Sequence, residues 1–312
     1  MSRYEAAGVS LGKAEAVVER LRAAVTSTGG SLGGFAGLHP LDDDRFLAAT
    51  MDGVGTKLIL SRRAGRLFGA GVDLAAHCVN DVITTGADPL FFLDYVASGS
   101  LELEEVAALV EGTASVCREA GCAILGGESA ELPGIYRDEE LDFAGACVGL
   151  VRREDLLDGS RCEAGDVVLG LPSSGLHANG FTLVRSLVGD GDFDADLLLP
   201  PTRLYLDDVR RLRAQADVRA LAHVTGGGIM GNLPRVLPAG LSAEIDWGSW
   251  ERPPVYGWLD DQGVSEEEQR RVFNLGIGYC AVVPPGDADK APFPVIGEIE
   301  EGSGSVVWAD EA

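Results

Sequence analysis

Apolar positions along this chain change period repeatedly, and the changes predict interleaved helices and strands. Val17, Val18, Leu21 and Val25 fall on helical spacing and predict a helix over residues 14–25. A glycine-rich stretch from Ser27 to Leu38 follows, and Gly33-Gly34-Phe35 within it reads as a loop. A short strand is expected over 46–50, running into Met51-Asp52-Gly53, and helical periodicity returns over 72–83. Residues 90–97 form a near-continuous apolar and aromatic strand. The longest helix spans 103–120, opened by acidic residues that suit the positive end of its dipole. Strands are expected at 122–125, ending in Gly126-Gly127-Glu128, and at 143–151.

A polar break, Arg152 to Asp155 and then Asp158-Gly159, resets the pattern. Beyond it strands are expected at 167–171, 241–246, 278–283, 295–299 and 306–308, with helices at 181–187, 204–214 and 265–273. The Gly- and Asp-rich run 189–196 reads as a surface loop. At roughly 150 residues per domain, 312 residues accommodate two, and the break divides them as 1–155 and 156–312. Helices and strands mix in both halves, so the fold class is α/β (α+β).

Charge narrows the partners. Forty-nine acidic residues against 25 basic ones give a net charge of −24, which repels nucleic acid and anionic membranes at long range. No apolar run approaches the roughly 18 residues that cross a bilayer. The first residues lack the layout of a signal peptide, so a cytoplasmic protein is expected. The six cysteines form no C-x-x-C pair and several sit in apolar runs, which predicts buried free thiols. Four scattered histidines offer no zinc pattern.

The familiar nucleotide and nucleophile signatures are absent: no G-x-x-x-x-G-K-[ST], no helix-opening G-x-G-x-x-G and no G-x-S-x-G. Ser10 and Lys13 match S-x-x-K by letter only. Carboxylates stand out instead, placed where apolar elements meet polar residues. Asp52 precedes Gly53-Val54-Gly55-Thr56-Lys57, Asp81 lies in an otherwise apolar helix, and Glu128 follows Gly126-Gly127. Charges in such places are costly unless paired or metal-bound. Carboxylates with few imidazoles suit a hard ion such as Mg2+, which usually arrives with a substrate's phosphates. The plainer alternative is a turn cap, an arginine pair and a solvated side chain.

Glycine-rich loops supply a second ingredient. Those at Gly33-Gly34-Phe35, Gly53 to Lys57, Gly126-Gly127 and Thr225-Gly226-Gly227-Gly228 can each point backbone N–H groups at an anion. The last precedes a helix start at Asn232 to Arg235, a favoured phosphate position. Ser173-Ser174-Gly175-Leu176-His177-Ala178-Asn179-Gly180 packs two hydroxyls, an imidazole and an amide at the end of a strand. Capping accounts for a Ser or the Asn; His177 remains open as an acid–base group or an anion contact.

Taken in order, these motifs resemble those of the aminoimidazole ribonucleotide synthetase (phosphoribosylformylglycinamidine cyclo-ligase) family. The likeness rests on Asp52 to Leu58, Cys78-Val79-Asn80-Asp81, Asp88 to Tyr95, Gly126 to Gly134 and Ser173 to Gly180. It continues through Ala222 to Gly228, Asn232 to Leu237 and Phe273 to Gly278. The resemblance implies a homodimer in which first-domain mixed sheets join into a barrel, with a second α/β domain closing the substrate cleft. It also implies ATP-dependent ring closure of a small nucleotide, formylglycinamidine ribonucleotide, in purine biosynthesis. The amide oxygen would be phosphorylated, the amidine nitrogen would attack, and phosphate would leave.

By the same likeness Asp52, Asp81 and Glu128 would hold Mg2+ on ATP, with Asp81, Lys57 and His177 in the catalytic set. Gly33, Gly34, Phe35, Gly53, Gly55, Thr56, Gly126 and Gly127 would bind ATP phosphates along with Lys57. Ser173, Ser174, His177, Asn179, Thr225, Gly226 and Gly227 fall on the substrate side. The chain departs from the family pattern at Arg22, at the short stretch Thr26 to Gly30, at Met51 and in a short loop after Leu187.

Overall fold

The computed structural model describes residues 3–8, 11–30 and 33–309. Helices α1 (Arg3–Ala6) and α2 (Leu11–Thr26) come first, and the apolar stripe Val17, Val18 and Leu21 of α2 stays exposed. Among the described residues, the first sheet holds β1 (Gly37–Pro40), β2 (Arg45–Gly53), β3 (Asp88–Ser98), β4 (Ala123–Glu131) and β5 (Leu141–Arg152), ordered β1-β2-β5-β3-β4. Its pairs are antiparallel apart from β3 with β4, which run parallel.

One face of this sheet is covered by α4 (Leu67–Ile83) and α5 (Leu103–Ala120), reached through α3 (Lys57–Arg63). Alternation along β5 follows from that cover: Phe143, Gly145, Cys147, Gly149 and Val151 are buried, and the residues between them only partly so. The helices approach so closely because glycine meets backbone on both sides. A Cβ at Gly71 would lie 2.0 Å from the Leu109 carbonyl oxygen, and one at Gly112 would lie 2.0 Å from that of Phe68.

The second sheet holds β6 (Val167–Pro172), β7 (Ala220–His223), β8 (Leu241–Ile245), β9 (Ile277–Val283), β10 (Val295–Glu301) and β11 (Val306–Trp308), ordered β11-β8-β10-β6-β9-β7. Every residue of β9 is buried, as an apolar run covered on both faces must be. On one face pack α6 (Phe181–Val188), α9 (Gly228–Asn232), α10 (Pro254–Asp261) and α11 (Glu266–Val272). The other face shares a core with α8 (Leu206–Gln215) and with α4 of the first half. A short α7 (Ala195–Leu198), capped by the Asp194 side chain, falls at the end of the run expected to be loop.

Most expected elements are present, with shifted ends. Two shifts matter to the site: β2 continues through Asp52, and β4 runs on through Glu128 to Glu131. Gly126 and Gly127 are poor strand formers. Pairing with β3, through an irregularity between Phe92 and Leu93, holds them extended nonetheless.

Candidate active site at the junction of the two halves

Strand register decides which carboxylates can meet. Asp52 pairs with Gly145, Gly145 with Asp94, and Asp94 with Gly127, so these four share the face that α4 covers. Glu128 pairs with Tyr95 and therefore points from the opposite face, where it is exposed. Within one chain the structure brings Asp52 and Asp81 together and leaves Glu128 apart.

Helix α4 supplies the rest of the cluster. Asp73, His77 and Asp81 recur every fourth residue and lie along one stripe, and all three are buried. His77 Nε2 lies 2.9 Å from Asp52 Oδ2, while His223 Nδ1, at the end of β7, lies 2.8 Å from Asp81 Oδ1. The two imidazoles meet edge to face with centroids 4.8 Å apart. Thr50 Oγ1 donates to Asp81 Oδ2 at 3.3 Å and lies 3.1 Å from the Phe35 carbonyl oxygen.

Burial opposes charge on both rings, but the outcomes differ. For His77, the hydrogen bond and charge of Asp52, with help from Asp81 and Asp73, outweigh burial and raise its pKa to about 9. For His223 burial wins over Asp81, so its pKa falls and the ring is neutral. Burial pushes Asp52 up, yet His77 holds it below the ordinary carboxylate range.

His77, Asp81 and His223 each carry an atom of a ligating type, all within 4.8 Å of one another, the one such group among the described residues. His223 Nε2 is buried without a protein partner. A divalent cation fits here through Asp81 and the orphaned buried nitrogen of His223, while His77, protonated by its pairing with Asp52, offers no lone pair.

Lys57 is placed otherwise than expected. Its ammonium lies 2.8 Å from Asp73 and donates to the carbonyls of His177 at 2.7 Å and Pro200 at 2.9 Å. All three hydrogens thus have acceptors in the chain, and the side chain is 1% exposed. Thr202 also donates to Asp73, through N and Oγ1. Burial lowers the Lys57 pKa and raises that of Asp73. This buried pair, with Asn80 holding the backbone of Tyr205 and Arg203, ties α4 to the second half.

The segment after β6 is equally constrained. His177 adopts φ 58°, a left-handed conformation uncommon outside glycine. Lys57 grips its carbonyl, and its Nε2 accepts from Ser174 N at 3.3 Å. The Nδ1 then carries the proton and is buried without a partner, and burial holds the pKa well below the usual histidine value. Ser173 and Ser174 donate to backbone carbonyls of Gly175 and Pro201. Asn274 anchors the turn from below, donating to the Gly175 carbonyl while accepting from Tyr256. Asn179 is half-buried, and its Oδ1 would lie 3.6 Å from a Cβ at Gly226.

The glycine loops frame this cleft. Asp52-Gly53 leads through Val54 to Gly55 at φ 66°, and Thr56 Oγ1 lies 3.1 Å from Thr182 Oγ1 at the start of α6. Gly33, Gly55 and Gly126 have positive φ and no protein atom within 4 Å of an added Cβ, leaving their backbones open to a ligand. Asn232 Nδ2 donates to the carbonyls of Gly226 at 3.2 Å and Gly228 at 2.9 Å, and its Oδ1 accepts from Thr225 Oγ1. Arg22 is exposed and pairs with Glu19, and Met51 is 70% exposed on the outer sheet face.

His77, His223 and Asp73 join the site without a role expected from the motifs, while Asn232 and Arg235, expected as a helix start beside the glycine loop, join it through their side chains. The four-residue spacing of Asp73, His77 and Asp81 was the available signal for two of them. Nothing local links His223 to α4.

Acidic groups and open glycine backbones thus meet at the seam of two α/β units. Family models agree on the particular lineage: AIR synthase related protein, N-terminal domain, matches residues 33–151, and the corresponding C-terminal domain matches 163–310. The chain belongs to the AIR synthase related family. It is 46% identical over 308 residues to the phosphoribosylformylglycinamidine cyclo-ligase of Synechococcus sp. strain CC9605, covering 92% of this chain and 89% of that one. To the enzyme of the same name from Sorangium cellulosum it is 48% identical over 312 residues, covering 92% and 90%. Among solved structures, HypE–HypF superposes with a TM-score of 0.69 at 18% identity over 96% of both chains. A ThiL complexed with AMPPCP and TMP gives 0.67 at 17% identity, covering 96% of this chain and 93% of that one. Both likenesses speak to the fold alone.

Proposed function

We infer that the chain closes the imidazole ring of 5-aminoimidazole ribonucleotide from formylglycinamidine ribonucleotide, consuming ATP, in purine biosynthesis. The observation that carries this reading is identity of 46–48% to cyclo-ligases across about nine-tenths of both chains. In the reaction the amide oxygen attacks the γ-phosphorus of ATP and ADP leaves. The amidine nitrogen then adds to the activated carbon, and the C–O bond breaks to release phosphate. Such chemistry asks for positioning and charge neutralisation rather than a protein nucleophile. No activated serine or cysteine is needed, and all six thiols are buried.

Asp52 and Asp81 are the residues we assign to Mg2+, which when bound would neutralise ATP phosphate charge. Asp52 is held by His77 and Asp81 by His223, and the two imidazoles meet edge to face. Gly33, Gly34, Phe35, Gly53, Gly55 and Thr56 would receive the phosphates. Thr225, Gly226, Gly227 and Asn179 would face the nucleotide substrate, with neutral His177 as a hydrogen-bond donor through Nδ1. We assign Lys57 to holding the His177 turn against α4, since its donors are already engaged. Glu128 and Gly126 serve the ATP site of this reading only if a second protomer brings the outer sheet face to it, whereas Gly127 lies on the face that α4 covers. The exposed apolar side chains Met51, Leu93 and Leu125 on that sheet support a homodimer. Free buried cysteines support a reducing, cytoplasmic setting, and no described helix is long and apolar enough to cross a membrane. The boundary between the domains falls near 155 in this account.

Isotope transfer tests the mechanism directly. Substrate carrying oxygen-18 in the amide should deliver the label into released phosphate, one atom per turnover. Unlabelled phosphate would exclude phosphorylation at that oxygen.

A further inference from the structure

Arg235 joins two glycine-rich loops that come from different halves of the chain. Its Nε donates to the Gly33 carbonyl at 3.2 Å and its Nη2 to the Gly34 carbonyl at 2.7 Å. Its Nη1 donates to Asn232 Oδ1 at 3.1 Å, the atom that also accepts from Thr225 Oγ1. The guanidinium carbon sits 3.9 Å from the centre of the Phe35 ring, which is buried in the core of the second half.

The chemistry of the peptide plane gives this contact a consequence. In a trans peptide the C=O and the next N–H point in opposite directions. With the carbonyls of Gly33 and Gly34 turned onto Arg235, the N–H groups of Gly34 and Phe35 must turn away from it. A cation on the carbonyl side also polarises both peptides and strengthens those N–H donors. The planar fork suits two successive carbonyls, and a lysine ammonium cannot match both at once. The circuit then closes on the acidic cluster. The Phe35 carbonyl contacts Thr50, Thr50 contacts Asp81, Asp81 pairs with His223, and His223 stands two residues before Thr225.

We propose that Arg235 is a positioning residue which turns the Gly34 and Phe35 N–H groups outward as a cradle for a nucleotide phosphate. Through Asn232 it couples that cradle to the Thr225–Gly228 loop across the seam. The assignment of a phosphate rests on the reading of the cleft given above; the coupling of the loops does not.

Hydrogen exchange and kinetics on Arg235→Ala and Arg235→Lys test both parts. In the parent, Mg-ATP should slow exchange in peptides covering both 33–36 and 225–228. In Arg235→Ala, exchange without nucleotide should rise about tenfold in both segments, as the loss of charge-assisted bonds to carbonyls implies. The melting temperature should hardly move, because Arg235 lies at the surface of the fold. The KM for ATP should rise about tenfold while kcat changes less than about threefold, with Arg235→Lys intermediate. Loosening confined to 33–36 would overturn the coupling. An unchanged KM, or a fall in kcat alone, would overturn the cradle. Should the parent catalyse no ring closure yet Mg-ATP still protect both loops, the proposal would stand and the cyclo-ligase reading would fail.

Discussion

Replacing Lys57 by Met keeps most of the side chain's length and removes its charge from a buried pair. Asp73 is then left 1% exposed with Thr202 as its remaining donor. Its least costly escape at pH 7 is to take up a proton. From a reference pKa of 3.8, that costs about 4 kcal/mol at roughly 1.36 kcal/mol per unit. The carbonyls of His177 and Pro200 also lose a donor, while the desolvation of the ammonium is no longer a cost. The net loss expected is about 3–5 kcal/mol, the range for breaking one side of a buried ion pair.

The pH dependence has a definite sign. In the variant Asp73 has a raised folded-state pKa, so stability is lost as pH rises and regained as it falls. The deficit against the parent should shrink by up to about 1.4 kcal/mol per unit between pH 7 and 5.5. Urea unfolding followed by circular dichroism at both pH values measures this. Lys57→Met/Asp73→Asn removes both charges and keeps an acceptor for Thr202, so it should recover much of the loss. A deficit below about 1 kcal/mol, no change with pH, or a double variant no better than the single one would refute the reasoning.

Gly112→Ala should cost at least about 2 kcal/mol of stability, although alanine is the better helix former, because its Cβ would meet the Phe68 carbonyl. A stabilised variant in thermal unfolding would contradict that packing. His77 should titrate near pH 9 by NMR, and its raised value means its stabilising contribution is complete below about pH 6.5 and lost as pH rises through 9. A His77 resonance that titrates near 6.5 would remove the Asp52 pairing. Asp81→Asn should cut turnover by about 100-fold or more with a melting temperature close to the parent's. Full turnover with unchanged Mg2+ dependence would take Asp81 out of the metal role.

Local patterning made the elements legible where periodicity was strong, as in α5, whose bounds match the expected 103–120. It fell short where pairing rather than propensity fixes the backbone. The polar, glycine-rich continuation of β4 is extended only because β3 lies beside it. Register then decided what motif spacing could not, setting Glu128 on one face and Asp52 on the other. Asp81 was visible as a charge in an apolar helix, but its partner His223 lies 142 residues away, in another sheet. Lys57 was visible as a cation after a glycine loop; that its charge is spent on Asp73 depends on how α3 and α4 dock, which spacing does not encode.

Ring closure itself can be tested directly. Purified protein should be given Mg-ATP with and without formylglycinamidine ribonucleotide, following ADP, phosphate and the mass of the nucleotide product. Substrate-dependent ADP and phosphate are expected in equal amounts, with a nucleotide lighter than the substrate by one water. Folded protein that binds ATP yet yields no dehydrated nucleotide would contradict ring closure.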